Sequence, residues 1–305
     1  MQDCITLKDF EAEAINTIID KAIEIKAEPQ KWASSLSGKS LAMIFQKSST
    51  RTRFSFEVGM TQLGGHAIFA QWATTQFGIA DVPEEGRSIS RYCDLIMARL
   101  LRNEDLEALA QGSEVPVING LTELYHPCQA LADLMTVKEK MGRTEGVNVV
   151  YTGIANNVSN SLSLCSVQTG ANFTLCVPER HPPSLDEELL DILRASGRYA
   201  ETDDLEAAME NADVVYTDTW IDMEFFTDPA FAEEKQRRID TFQPYQVNEA
   251  LVEGRDTLVM HCLPAHKGYE VSETVLGSPN SVVFDQAENR LHSQKALMLW
   301  LLGKL

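Results

Sequence analysis

No run of apolar residues in this 305-residue chain approaches the roughly 20 needed to cross a bilayer. The first residues, Met1-Gln2-Asp3-Cys4, carry neither the basic start nor the apolar stretch of a secretion signal, so a cytoplasmic protein is expected. Cysteine is sparse and unpatterned: the six, at positions 4, 93, 128, 165, 176 and 262, show no CxxC spacing. That argues against a disulfide framework or structural zinc and for reduced thiols. Positive charge is in deficit. Twenty-six Lys and Arg face 45 Asp and Glu, and a net charge of −19 excludes nucleic acid and anionic membranes as natural partners. A dinucleotide fingerprint is also missing, since Gly153-Ile154-Ala155-Asn156-Asn157-Val158 lacks the second and third glycines of GxGxxG. Neither an internal repeat nor a low-complexity segment stands out.

What is present reads as a soluble globular protein, with 44% hydrophobic and 23% charged residues and enough length for two domains. Residues 6–26 have the apolar stripe of an amphipathic helix, with Thr6 as its cap. Short apolar runs at 40–45, 66–69, 95–98 and 115–118 then read as buried strands separated by helical stretches. After a helix-like segment over 128–141, the polar Gly142-Arg143-Thr144-Glu145-Gly146 marks a junction. A second strand series follows at 147–152, 173–177, 214–217, 257–261 and 282–285, and a long helix over 287–302 closes the chain. His181-Pro182-Pro183-Ser184 reads as a loop and the cap of the next helix only. Apolar strands alternating with helices predict an α/β fold: two doubly wound domains, each with a parallel sheet and helices on both faces, linked by interdomain helices. The division falls at 1–142, joined by the terminal helix 287–305, and 146–286.

Three short runs far apart carry the chemistry. Ser49-Thr50-Arg51-Thr52-Arg53 follows one strand-like run and opens a helix-like run over 54–63. Hydroxyls, guanidinium groups and the free N–H groups of a helix start meet there, which makes a cradle for an anion. Arginine adds bidentate hydrogen bonds that match phosphate. In His126-Pro127-Cys128-Gln129, His126 reads equally as a capping, core or cavity residue, and Gln129 lies one turn along on the same side. In His261-Cys262-Leu263-Pro264, adjacent side chains on an extended chain point apart, a poor arrangement for a nucleophile and its base. His261 and His266 lack helical metal-ligand spacing, so no metal is expected. Arg99 reads as either a surface charge or a site group. Against the global negative charge, Arg51, Arg53, Arg99 and Arg290 are the candidates for a local positive field.

Taken together these runs resemble the aspartate/ornithine carbamoyltransferase family, and its ornithine branch more than its aspartate branch. The resemblance runs from about Leu36 to the C-terminus. It includes Leu63-Gly64-Gly65-His66, Asn156-Asn157-Val158, Tyr216-Thr217-Asp218-Thr219-Trp220 and Asp285-Gln286-Ala287-Glu288-Asn289-Arg290. It implies an active site between the two domains, small-molecule substrates (carbamoyl phosphate and an amine such as L-ornithine), no cofactor or metal, and a homotrimer. By resemblance, Ser49, Thr50, Arg51 and Thr52 would hold the phosphate, and Arg51, Thr52, Arg99, His126 and Arg290 would surround the carbonyl oxygen. Gln129 and the carbonyls of Cys262 and Leu263 would take the carbamoyl NH2. Asp218 and Cys262 would orient the attacking amine, while Asn157, Asp218, Asp222 and Met223 would hold the amino-acid end.

This chain departs from the ornithine pattern in places. Asp222-Met223-Glu224 stands where a Ser-Met-Gly loop is usual, and two carboxylates about 4 Å apart repel by about 4 kcal/mol at an effective dielectric of 20. Gly153-Ile154 replaces a usual Gly-Asp, and Trp72 falls where acyl-ornithine relatives carry a tryptophan. Three readings follow: carbamoyl transfer to ornithine, the same transfer to putrescine or an acylated ornithine, and a non-catalytic carbamoyl-phosphate-binding relative.

Overall fold

A computed structural model describes residues 2–221 and 225–305. Asp222, Met223 and Glu224, which include two of the departures named above, lie outside the described residues. The first sheet contains β1 (Ser40–Phe45), β2 (His66–Gln71), β3 (Leu95–Arg99) and β4 (Val117–Leu121), ordered β2-β1-β3-β4. The second contains β5 (Asn148–Ala155), β6 (Asn172–Arg180), β7 (Tyr199–Thr202), β8 (Val214–Thr217) and β9 (Leu258–His261), ordered β7-β6-β5-β8-β9. Every strand pairing within the two sheets is parallel.

Alternation along the strands explains how each sheet is covered on both faces. In β1, Leu41, Met43 and Phe45 enter one core, whereas Ala42 and Ile44 enter another on the opposite face. The same split divides Leu95 and Met97 from Ile96 and Ala98 in β3. The first of these cores is shared by both sheets, because Val149, Tyr151, Phe173 and Tyr216 of the second sheet belong to it too. It holds residues of α1 (Ala12–Ala27), α2 (Thr50–Gln62), α5 (Pro127–Met141), α6 (Asn157–Gln168) and α7 (Val283–Leu301). The other face of the first sheet is covered by α3 (Val82–Ser90) and α4 (Asn103–Gly112). The terminal α7 packs against α1, α2 and α5, so the end of the chain lies on helices belonging to its first half.

Several sequence expectations are corrected. Residues 282–285 form no strand; Val283 begins α7, because Val282, Val283 and Gln286 are buried on one helical side. The segment 66–69 is not buried: β2 is an edge strand, and Ile68 and Phe69 are exposed. The edge strand β7 went unread because Tyr199-Ala200-Glu201-Thr202 gives no apolar run. The N-terminal helix starts at Ala12, since Thr6 caps a separate 3₁₀ turn over Leu7–Asp9. Ser184 caps nothing that follows; Asp186 accepts from Leu189 N–H and caps the next helix, Glu187–Ala195.

Two glycines allow α3 and α4 to approach closely. A Cβ on Gly112 would lie 2.0 Å from the Pro83 carbonyl oxygen, and one on Gly86 would lie 2.8 Å from that of Leu109. Backbone atoms cannot rotate aside as a side chain can, so Gly112→Ala should cost about 2 kcal/mol of stability. A lowered urea midpoint at unchanged slope is the expected result; an unchanged midpoint would show that the two helices separate freely.

Candidate active site

The carboxyl ends of both sheets point toward one cleft. Ser49 follows β1, Arg99 ends β3, Leu121 ends β4, Asn156 follows β5, Asp218 follows β8 and Cys262 follows β9. All six line a single cavity of about 520 Å³. In each sheet the strand order reverses at the first strand, beside β1 and β5, and such switch points open crevices where ligands bind.

The floor of the cavity is the start of α2. Ser49 is the N-cap: its hydroxyl accepts from Thr52 N–H at 3.3 Å and donates to Thr52 Oγ1 at 3.1 Å. Such a cap is worth about 1 kcal/mol and fixes where the remaining helix-start N–H groups point. Thr50 and Arg51 line the same wall. Arg53 does not join them. Its guanidinium lies 3.8 Å from the centre of the Phe69 ring and its Nε donates to Glu57 at 3.2 Å, because two residues along a helix places it on another side.

Arg290 enters from α7 and is 3% exposed. Its Nη1 donates to Gln129 Oε1 at 2.6 Å and its Nη2 to Thr52 Oγ1 at 3.2 Å. These bonds join the two N-terminal-half motifs to the end of the chain. His126, at the start of α5, is buried beside Arg290, Arg99 and Arg51. Burial first, then those three guanidinium groups, hold its pKa well below the usual histidine value. The imidazole is therefore neutral at pH 7, and its Nδ1 has no hydrogen-bond partner among the described residues. A neutral ring can still donate from one nitrogen, so His126 can serve a developing oxyanion without adding a fourth charge.

The opposite wall holds a carboxylate and a thiol. Cys262 Sγ donates to Asp218 Oδ1 at 3.0 Å, and Asn156 Nδ2 donates to Asp218 Oδ2 at 2.8 Å. Burial, and then the adjacent Asp218 charge, push the thiol pKa well above its ordinary value. Cys262 is thus a protonated hydrogen-bond donor rather than a nucleophile, and Asp218 is the group able to accept a proton. Leu263 sits at φ 55°, a left-handed conformation that costs a leucine about 1–3 kcal/mol. Its N–H donates to His261 Nδ1 at 2.8 Å, so the ring proton is on Nε2, 3.3 Å from buried Glu270. Asp218, His261 and Cys262 bring metal-type ligand atoms within 4.8 Å of one another, yet both His261 nitrogens are already engaged.

The structure therefore brings together Ser49, Thr50, Arg51, Thr52, Arg99, His126, Gln129, Asn157, Asp218, Cys262, Leu263 and Arg290 around one cavity. Asp222 and Met223 are outside the described residues. Lys47, Asn156 and Thr219 line the cavity as well and were missed as site residues. Asn156 was within a quoted motif, but only its tertiary contact reveals that it holds Asp218. Asn157 Nδ2 is turned to the Thr122 carbonyl at 2.5 Å. Trp72 stacks on Phe77 with ring centres 4.9 Å apart and is not among the cavity-lining residues. A second cavity of about 480 Å³ adjoins the first and shares Lys47, Leu121, Asn156, Asn157 and Thr219 with it. His181, Pro183 and Ser184 line it.

Neutral, buried His126 sets a pH dependence. Its folded pKa is depressed, so its contribution is complete above about 6.5 and is lost as the pH falls below that value. One such group weakens stability by up to about 1.4 kcal/mol per pH unit. Urea unfolding at pH 7 and pH 5 should show a smaller drop for His126→Asn than for the parent chain. An imidazole signal titrating near 6.5 by NMR would refute the neutral assignment.

Comparison with known proteins agrees with this geometry. Residues 2–139 match the family model described as the aspartate/ornithine carbamoyltransferase carbamoyl-P binding domain, and residues 145–301 match the Asp/Orn binding domain of the same family. The anabolic ornithine carbamoyltransferase of Pyrococcus furiosus is 45% identical over 99% of this chain and 96% of its own length. A solved structure of the Pyrococcus furiosus ornithine carbamoyltransferase superposes with a TM-score of 0.91 at 44% identity, covering 100% of this chain and 98% of that one. A mutant N-acetyl-L-ornithine transcarbamylase, solved with carbamyl phosphate and N-succinyl-L-norvaline, gives a TM-score of 0.85 at 32% identity, covering 99% and 100%. By sequence, fold and the residues gathered at its cleft, the chain belongs to the aspartate/ornithine carbamoyltransferase family.

Proposed function

We propose that this enzyme transfers the carbamoyl group of carbamoyl phosphate to the δ-amine of L-ornithine, giving L-citrulline and phosphate, as a step of arginine biosynthesis in the cytoplasm. The observation that carries the reading is the convergence of Arg51, Arg99, His126 and Arg290 on one wall with Asp218 and Cys262 on the other. The division of labour follows the two sheets: residues 1–142 with the terminal helix 287–305 bind carbamoyl phosphate, and 146–286 bind the amine.

Carbamoyl phosphate is a mixed anhydride with a good leaving group, so the protein has only to position it and stabilise charge. Ser49, Thr50, Arg51 and Thr52 hold the phosphate at the start of α2. Arg51, Thr52, Arg99, His126 and Arg290 surround the carbonyl oxygen as the tetrahedral intermediate forms, and one such preorganised donor is worth about 3 kcal/mol. Gln129 and the Cys262 and Leu263 carbonyls accept from the carbamoyl NH2. A primary alkylamine titrates near 10, so ornithine arrives as an ammonium ion. Asp218, steadied by the Cys262 thiol and Asn156, accepts the first proton. The freed amine attacks the carbonyl carbon, and the C–O bond to phosphate breaks with its electron pair going to phosphate. The departing phosphate takes the second proton. Every donor around the carbonyl is retained, more than a relative that only binds would need.

A second reading keeps the chemistry and lengthens the amine, to an N-acyl-ornithine. It is favoured by the adjoining 480 Å³ cavity, and by the N-acetyl-L-ornithine transcarbamylase among the similar structures. Putrescine, the third acceptor considered, is favoured by sequence alone, since it has no carboxylate for Asp222 to repel. Citrulline or ureido-product formation, measured in parallel with ornithine, putrescine and N-acetylornithine, decides among them. Preference for ornithine by at least tenfold in kcat/KM is expected, and silence with all three would remove the proposal.

Carbamoyltransfer is further proposed to take place in a homotrimer. Phe54 and Val58 of α2 and Ile68 and Phe69 of β2 expose adjoining apolar surface beside an unpaired sheet edge, which a second copy would cover. Light scattering should give the mass of three chains, and Ile68→Glu should lower it; a monomeric parent chain would count against the assembly.

A further inference from the structure

One buried carboxylate close to the cleft has no part in the chemistry above. Asp133 is on α5, one turn beyond Gln129, and is 0% exposed. It is not among the residues lining the cavity. Its Oδ1 accepts from Gln129 Nε2 at 2.8 Å and from Gln286 Nε2 at 2.7 Å. We propose that Asp133 is a positioning residue that holds the Gln129 amide with its oxygen, rather than its nitrogen, presented to the reacting carbamoyl group.

The argument is one of donors and acceptors. A glutamine amide is ambidextrous: the same side chain offers an acceptor at one end and two donors at the other, and a half-turn exchanges them. At Gln129 the choice matters, because its outer end meets the Arg290 guanidinium at 2.6 Å. Arginine can only donate, and so can the NH2 of a carbamoyl group. With nitrogen outward, Gln129 would set donor against donor twice. With oxygen outward, both are satisfied, and this requires a strong acceptor behind the amide nitrogen. Asp133 supplies it. Burial outweighs the Gln129 and Gln286 amides and the Arg290 charge, which pull the other way, and leaves its carboxyl raised to about 7. Even a protonated carboxyl keeps a carbonyl oxygen to accept from Gln129.

The same oxygen fixes a second amide. Because Gln286 Nε2 is bound to Asp133, Gln286 Oε1 faces outward and accepts from His261 N–H at 3.0 Å. Asp133 thus sits between the run that carries His126 and the run that carries Cys262, and sets the sense of the hydrogen bonds on both sides.

This inference rests on the carbamoyl transfer proposed above, and the test separates the two. Asp133→Leu keeps the branched shape but offers no acceptor, so nothing holds the Gln129 nitrogen inward and that amide can turn. The KM for carbamoyl phosphate should rise roughly 10- to 100-fold, the effect of one mismatched buried hydrogen bond. Inhibition by acetyl phosphate, which has a methyl group where carbamoyl phosphate has NH2, should move less than twofold. In a Gln129→Ala background, Asp133→Leu should have no further effect on that KM. Thermal melting records whether the variant is folded. Asp133→Ala, smaller and also without an acceptor, takes the same readouts should the Leu variant fail to fold. Equal weakening of carbamoyl phosphate and acetyl phosphate, or no change in either, overturns the positioning role while leaving the function intact. A parent chain that transfers no carbamoyl group overturns the function, and this role with it.

Discussion

The buried guanidinium of Arg290 is the constraint on which the cleft depends. It belongs to the last helix, yet its hydrogen bonds reach Gln129 and Thr52, 161 and 238 residues earlier. A cation this deep is costly unless its N–H groups are met. Here they are met by neutral oxygens of two motifs, not by a carboxylate, so the charge remains available to the cavity. Pairing it with an Asp or Glu would have lowered the cost of burial and also cancelled the field. The terminal helix must therefore return across the first domain, and its packing on α1, α2 and α5 fixes where the charge ends up.

A chain of hydrogen bonds extends from that group in both directions. Ser49 donates to Thr52, Thr52 accepts from Arg290, Arg290 donates to Gln129, Gln129 and Gln286 donate to Asp133, and Gln286 accepts from His261. Members come from both domains and from the terminal helix, and nearly all are buried. Networks of this kind are costly when half satisfied and rigid when complete. The shared hydrophobic core sets the coarse relation of the two sheets, since Met43 and Tyr151 lie in the same cluster. The polar chain then sets directions, which apolar packing cannot do.

Strand–loop–helix transitions were the legible part of this sequence. β1 and β8 have the bounds expected from their apolar runs, and the three chemistry-bearing motifs sit where a strand ends or a helix begins. What local pattern could not give was direction and partner. Arg53 has the same composition cues as Arg51, but helical spacing sends it to Phe69. Val282 to Asp285 has the makeup of a strand, but burial against the first domain draws it into a helix. Asp133 and Gln286 look like ordinary polar helix residues until tertiary structure places them 2.7 Å apart. Asn156 was read as part of a motif, and only its bond to Asp218 gives it a task.

The net charge of −19 and the cationic cleft do not conflict once distance is considered. Exposed charges are screened beyond about 8 Å at physiological salt, whereas groups inside a low-dielectric cleft act on one another with little screening. Arg51, Arg99 and Arg290 therefore dominate the potential where His126 stands, and they help hold that imidazole neutral. Across the same cavity, Asp218 raises the Cys262 thiol instead. Two titratable groups on facing walls are thus kept uncharged for opposite electrostatic reasons. One stands beside positive charge and cannot take on another; the other stands beside negative charge and cannot lose its proton. Both remain hydrogen-bond donors, leaving the guanidinium groups as the fixed positive charges and Asp218 as the carboxylate facing them.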